Sequence, residues 1–140
     1  MGAYSPDRTH IACISSSAGE LIVSPISGPG DRVLVPDQAS NPVWSPTGDR
    51  IAFSVAKAGS GRNPLPPPEI RIVDVASGTV TSVLVASSGY DVNVIGFSPD
   101  GGRILFSEMD AGGTSSLWSV RTDGSDAQLL VQGSGGGWQP

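Results

Sequence analysis

Few residues in this 140-residue chain could do chemistry. His10 is its sole histidine, so a serine nucleophile activated through an imidazole would have to use it. No Gly-x-Ser-x-Gly turn exists to present such a serine, and His10 reads as a structural or surface residue. Asp123 and Asp126 in "RTDGSDA" have something of a calcium loop. The Asp-x-Asp-x-Asp-Gly run and the distal glutamate that complete a coordination sphere are missing, so these aspartates are expected in a turn. "GSGGG", Gly133 to Gly137, shares only its composition with a phosphate-cradling loop, lacking the Lys-Ser/Thr pair and a following helix. It reads as a flexible link between strands. No metal, cofactor or catalytic activity is expected.

Binding remains. The stretch "AKAGSGRNPLPPPEI" places Arg62, Asn63, Leu65, Pro66 and Pro67 on a segment that its prolines hold in a polyproline conformation. A docking loop for a protein or peptide is the functional reading. A stiff, solvated hairpin extension is the plainer one, since insertions in surface loops cost little.

The elements that must carry such a loop are strands. Gly 19 and Pro 12 interrupt the Val, Ile, Thr and Ser stretches so often that no window keeps a helical apolar period for ten or more residues. The composition fits one domain, with 38% hydrophobic residues for a modest core. A net charge of -5 with dispersed basic residues opposes a phosphate-binding surface, and nucleic acid is not an expected partner. No apolar run approaches the roughly 18 residues of a membrane span, and the N-terminus has no charged region followed by an apolar stretch, so a soluble chain without membrane insertion is expected. Cys13 in "HIACIS" cannot form an internal disulfide and reads as a strand residue facing a core.

The chain also repeats. "YSPDRTHIACI" from Tyr4, "WSPTGDRIAFS" from Trp44 and "FSPDGGRILFS" from Phe97 share one order: aromatic, Ser, Pro, polar turn, alternating apolar strand. A fourth start, "WQP", begins at Trp138. The intervals of 40, 53 and 41 residues match the period of four-stranded propeller blades, the longest one holding the insertion. Between the starts, "ELIVSPISGPGDRVLV", "EIRIVDVASGTVTSVLV" and "SLWSVRTDGSDAQLLV" each read as strand, turn, strand. Pro46 and Pro99 preset the first corner of a turn, and Gly48 and Gly101 allow the left-handed corner after it. Trp44 and Phe97 end a first strand, and Phe53 and Phe106 on the second strand are expected to fill the space between blades.

This aromatic-Ser-Pro-Asp-Gly turn followed by Arg-Ile-Ala-Phe resembles the repeat of TolB-like β-propellers, also seen in the propeller domains of prolyl peptidases. The resemblance covers almost the whole chain and implies three blades of four antiparallel strands, half of a six-bladed ring. The repeats fall at about 4–43, 44–96 and 97–137, with a closing inner strand at 136–140 similar to the ending of many TolB-like chains. It suggests a periplasmic or extracellular setting. The first repeat departs from the pattern: Arg8 stands where Gly48 and Gly101 stand, and His10 where Arg50 and Arg103 stand, which leaves its turn geometry open.

Three open blades leave an apolar face bare at each end, so a homodimer that completes the ring is expected, with a fragment of a longer propeller as the alternative. Antiparallel order sends connections 1 to 2 and 3 to 4 to one face, which carries tight turns. Connections 2 to 3 and 4 to 1 reach the other. Pro36–Asn41, Ala56–Pro68, Ala86–Asp91 and Glu108–Ser115 are expected to be its longer loops, and binding is expected there. The leading expectation is a non-enzymatic binding or scaffold module for protein or peptide partners. The alternatives are the gating propeller of a prolyl-peptidase-like hydrolase without its catalytic domain, which the "GWQP" ending argues against, and a purely structural half-propeller.

Overall fold

A computed structural model of the chain describes residues 2–16, 19–36, 39–55, 68–85, 91–109 and 112–132. The regular structure within them is all strand, in three antiparallel sheets of four consecutive strands each. Sheet 1 holds β1 (Gly2–Tyr4), β2 (His10–Ile14), β3 (Leu21–Pro25) and β4 (Arg32–Val35). Sheet 2 holds β5 (Ala39–Trp44), β6 (Arg50–Val55), β7 (Glu69–Asp74) and β8 (Val80–Val85). Sheet 3 holds β9 (Asp91–Phe97), β10 (Arg103–Met109), β11 (Ser115–Arg121) and β12 (Gln128–Gln132). The expected all-β set of four-stranded blades is therefore present, and the described strands close no ring.

The central strand β6 shows how the sheets hold together. Successive side chains on a strand point to opposite faces. Ile51, Phe53 and Val55 join Ala12, Leu21 and Val23 of sheet 1 in one core, while Ala52 joins Val94, Ile104 and Phe106 of sheet 3 in another. Sheet 2 is thus buried on both faces, and sheets 1 and 3 on one each. Phe53 and Phe106, at matching positions of their repeats, are both buried as expected, each between its own sheet and the one before it.

The same alternation corrects the reading of Cys13. Ala12 is the residue of β2 that enters the core, so its neighbour Cys13 points the other way and stays half-exposed beside Ile11 and Gly2. The limits of three expected loops also move. Ser40 pairs with Ser54 and Glu108 with Val92, so the ladders extend past the expected strand ends and take in Ala39, Ser40, Asn41, Asp91, Glu108, Met109 and Ser115.

Sheets approach most closely along their first strands, β5 lying on β1 and β2, and β9 on β5 and β6. Trp44 Nε1 donates to the Ala3 carbonyl at 2.8 Å, and the Val94 amide donates to the buried Ser54 hydroxyl at 3.1 Å. Near the outer rim, Arg32 Nη1 and Nη2 donate to the carbonyls of Val75 and Ala76 at 2.6 and 3.1 Å. Gly124, at φ 88°, comes so near sheet 2 that a Cβ there would lie 2.6 Å from the Val83 carbonyl oxygen. Both the dihedral and the approach require glycine.

Because Phe53 and Phe106 are sealed between sheets, Phe53→Ala and Phe106→Ala should each cost about 3–5 kcal/mol. Urea denaturation followed by circular dichroism checks this, and an unchanged midpoint for either variant would contradict the packing.

Candidate functional site

The loop face joins strands 2 to 3 and 4 to 1, and Arg62, Asn63, Leu65, Pro66 and Pro67 all lie outside the described residues. So do residues 136–140, where a closing strand is expected. The described margin of this face carries two polar constructions. At the start of β7, Glu69 receives Arg71 Nη2 at 2.7 Å and Nε at 3.2 Å, and accepts the Ser82 hydroxyl at 3.1 Å. Those bonds, Arg71 first, hold the Glu69 carboxyl below its usual range. On the first strands, Asn41 sits at φ 52° in a β-bulge and donates from Nδ2 to Asn93 Oδ1 at 2.7 Å, tying sheet 2 to sheet 3. A bulge is a common device for re-aiming a side chain. Neither asparagine stood out in the sequence, since the bulge that turns Asn41 leaves no mark in residue type.

The opposite face is built from the aromatic-Ser-Pro turns, and its three copies have one construction. The serine hydroxyl of each accepts an amide five residues on, Ser5 from His10 at 3.0 Å, Ser45 from Arg50 at 3.1 Å and Ser98 from Arg103 at 3.0 Å. The same hydroxyl donates to a carboxylate: Asp7 at 2.7 Å, Asp49 at 2.9 Å and Asp100 at 2.6 Å. The acid therefore stands two residues after serine in the first and third turns and four after it in the second. Arg8, with φ 62°, takes the left-handed corner that Gly48 and Gly101 take at 77° and 75°, so the first turn keeps the common geometry. Its amide donates to the Ser5 carbonyl at 2.9 Å, as Gly48 and Gly101 donate to Ser45 and Ser98.

Hydrogen bonds to the charged form lower a carboxyl's pKa. Asp7 is brought down to about 2, by the Thr9 hydroxyl first and that of Ser5 next. Asp49 is lowered by Thr47 and then Ser45, and Asp100 by Ser98 and then the Gly102 amide. Asp123 and Asp126 are turn residues, as expected. Asp123 accepts the Ser125 amide and hydroxyl at 2.9 and 2.6 Å, and Asp126 pairs with Arg103 at 3.0 Å and Arg121 at 3.7 Å. His10 lies on this face too, its Nδ1 at 2.8 Å from Thr9 Oγ1. Beside it a cleft of about 250 Å³ opens between sheets 1 and 2, with Trp44 and Asp7 in its lining.

Three stacked sheets of this order define the fold of a β-propeller, and solved propellers match it. The TolB structures are among the similar ones. TolB from Acinetobacter baumannii superposes with a TM-score of 0.74 at 22% identity, over 93% of this chain and 31% of that one. A putative TolB from Agrobacterium tumefaciens gives 0.69 at 20% identity, over 94% and 50%. One of two prolyl endopeptidases analysed structurally gives 0.73 at 19% identity, over 96% and 22%. The chain thus spans half or less of the length of these structures. No family model matches the sequence, and no curated protein does.

The pinned turns make a joint prediction about stability and pH. Ser45 is fully buried, so Ser45→Ala strands the Arg50 amide and leaves Asp49 with Thr47 but without its serine partner, which should cost about 1–3 kcal/mol at pH 7. A carboxyl whose pKa is lower in the folded chain stabilises it above the ordinary value of 3.8, and that contribution is lost as pH falls through the folded value. Denaturation midpoints should therefore hold from pH 7 to about pH 4 and drop between about pH 4 and pH 2. The gap between Ser45→Ala and the parent chain should narrow over that drop.

Proposed function

We propose that this chain is a non-enzymatic propeller module that binds protein or peptide partners and completes its ring by self-association. The observation behind this reading is the pair of uncovered sheet faces. On sheet 1, Gly2, Cys13, Ile22 and Val33 form one row across the four strands, directed away from sheet 2, and Val33 is 52% exposed. On sheet 3, Met109 and Val131 are exposed at 39% and 42%. Apolar faces on both ends of a stack are surfaces that further propeller sheets cover. A second copy offers sheet 1 to the first copy's sheet 3 and the reverse, which closes with two-fold symmetry. The loop face, with the Arg62–Pro67 segment, is the proposed surface for a peptide or protein partner.

A second reading, the propeller portion of a prolyl-peptidase-like hydrolase, draws on the likeness to the prolyl endopeptidase structure. Under that reading too the sequence offers no Gly-x-Ser-x-Gly turn, and His10→Ala should leave binding at the loop face intact.

Light scattering on the 140-residue chain tests self-association. We expect twice the 14.2 kDa chain mass, and a shift to monomer or aggregate when residues 136–140 are deleted. A monodisperse monomer, or a dimer indifferent to the deletion, would refute ring closure. Turnover of a prolyl peptide by the pure chain would refute the non-enzymatic reading.

A further inference from the structure

The three aromatic-Ser-Pro turns are alike in backbone and unlike in what stands over the ring. Arg50 leaves the start of β6, crosses to sheet 3, places its guanidinium 5.8 Å from the centre of the Phe97 ring and donates from Nη2 to the Gly101 carbonyl at 3.2 Å. Tyr4 has a guanidinium at the same 5.8 Å, supplied by Arg8 of its own turn. Both distances lie within cation–π range. Trp44 has the best ring of the three for a cation, yet among the described residues no guanidinium stands over it. The residue that should supply one, by its place at the start of β2, is His10. Its ring is too short to copy the arginine's reach, and its Nδ1 is engaged with Thr9.

The two junctions share the approach of a glycine to the proline of the preceding turn. A Cβ on Gly101 would lie 3.6 Å from Pro46 Cδ and 3.9 Å from Arg50 Nη2. On Gly48 it would lie 3.6 Å from Pro6 Cδ, with no arginine nitrogen near. A cleft of about 250 Å³ lies at the junction without that arginine, and one of about 390 Å³, lined by Arg50 and Thr122, lies at the junction that has it, so it is the open Trp44 ring and not the presence of a cleft that sets the first junction apart. We propose that the cleft at the first junction receives the guanidinium of an arginine side chain from a partner polypeptide, in the place Arg50 takes at the next junction.

The lining holds one carboxylate and one guanidinium. Asp7 lines the cleft and is ionised at neutral pH. Arg32 also lines it and keeps its positive charge while its two terminal nitrogens donate to the carbonyls of Val75 and Ala76, so it offsets Asp7 and the choice of a guanidinium rests on the Trp44 ring. An incoming guanidinium would find the Trp44 indole, the Gly48 carbonyl and the Asp7 carboxylate. All these groups belong to two adjacent sheets of one chain, so the site exists whether or not the chain self-associates.

The test follows the Trp44 indole N–H resonance in ¹⁵N-labelled protein titrated with N-acetyl-arginine amide. Its citrulline counterpart, of the same shape without the charge, serves as control. Saturable shifts are expected with the arginine compound, and binding about threefold to tenfold weaker with citrulline. His10→Arg should fill the cleft from within, abolish the titration and raise the thermal midpoint. Equal response to both compounds, no response of Trp44 to arginine, a lowered midpoint in His10→Arg, or undiminished binding by that variant would each overturn the proposal. Should His10→Arg fail to fold, the arginine and citrulline titrations of the parent chain decide alone.

Discussion

A strand whose residues are apolar on both faces cannot be satisfied by one neighbour, and the architecture follows from that constraint. β6 is the clearest instance, with Ile51, Phe53 and Val55 needing one apolar partner surface and Ala52 another. A single four-stranded sheet with such a strand at its centre would leave half of it in water. Stacking solves the problem locally and recreates it at each end, so covering the last face is the standing requirement of the fold. The polar ties between sheets, Trp44 to Ala3, Ser54 to Val94 and Arg50 to Gly101, add direction to a contact whose driving force is apolar burial.

Much of this was legible in the sequence because the turns repeat chemically. Aromatic, Ser and Pro recur in order, and the alternation after them announces a strand with two different faces. The serine's double role was not legible, since its carboxylate partner shifts from Asp7 to Asp49 to Asp100 without keeping a constant spacing from the serine. What is preserved is the hydrogen bond from the serine hydroxyl to a carboxylate. The same holds for Arg8, whose residue type gave no sign of a left-handed corner and whose φ is nonetheless that of the glycines. The five hydrogen-bonding groups of the turn select the backbone, and the residue adapts to it.

The candidate site was less legible than the fold. Composition drew attention to the proline-rich loop, whereas the described polar constructions, Glu69 with Arg71 and Asn41 with Asn93, depend on cross-strand register and on a bulge. Neither can be read from residue type. His10 was visible as a departure from arginine, but its meaning needed the neighbouring junction. Only when Arg50 is seen reaching across to Phe97 does it stand out that, among the described residues, no guanidinium lies over Trp44.

The two faces of a sheet here are not interchangeable. In β6 the bulky residues Ile51 and Phe53 point back to the sheet before, and Ala52 points forward. β2 likewise sends Ala12 forward, and β10 sends Phe106 back. The stack therefore has polarity, each sheet offering one set of residues to the sheet before and another to the sheet after, and every contact between the described sheets is head-to-tail. Head-to-tail contacts have no built-in stopping point: they end in a ring if the rotation per sheet adds up to a full turn and in an open filament if it does not. Small changes in the angle between sheets, more than changes in what touches what, would then decide between a discrete particle and an unbounded polymer.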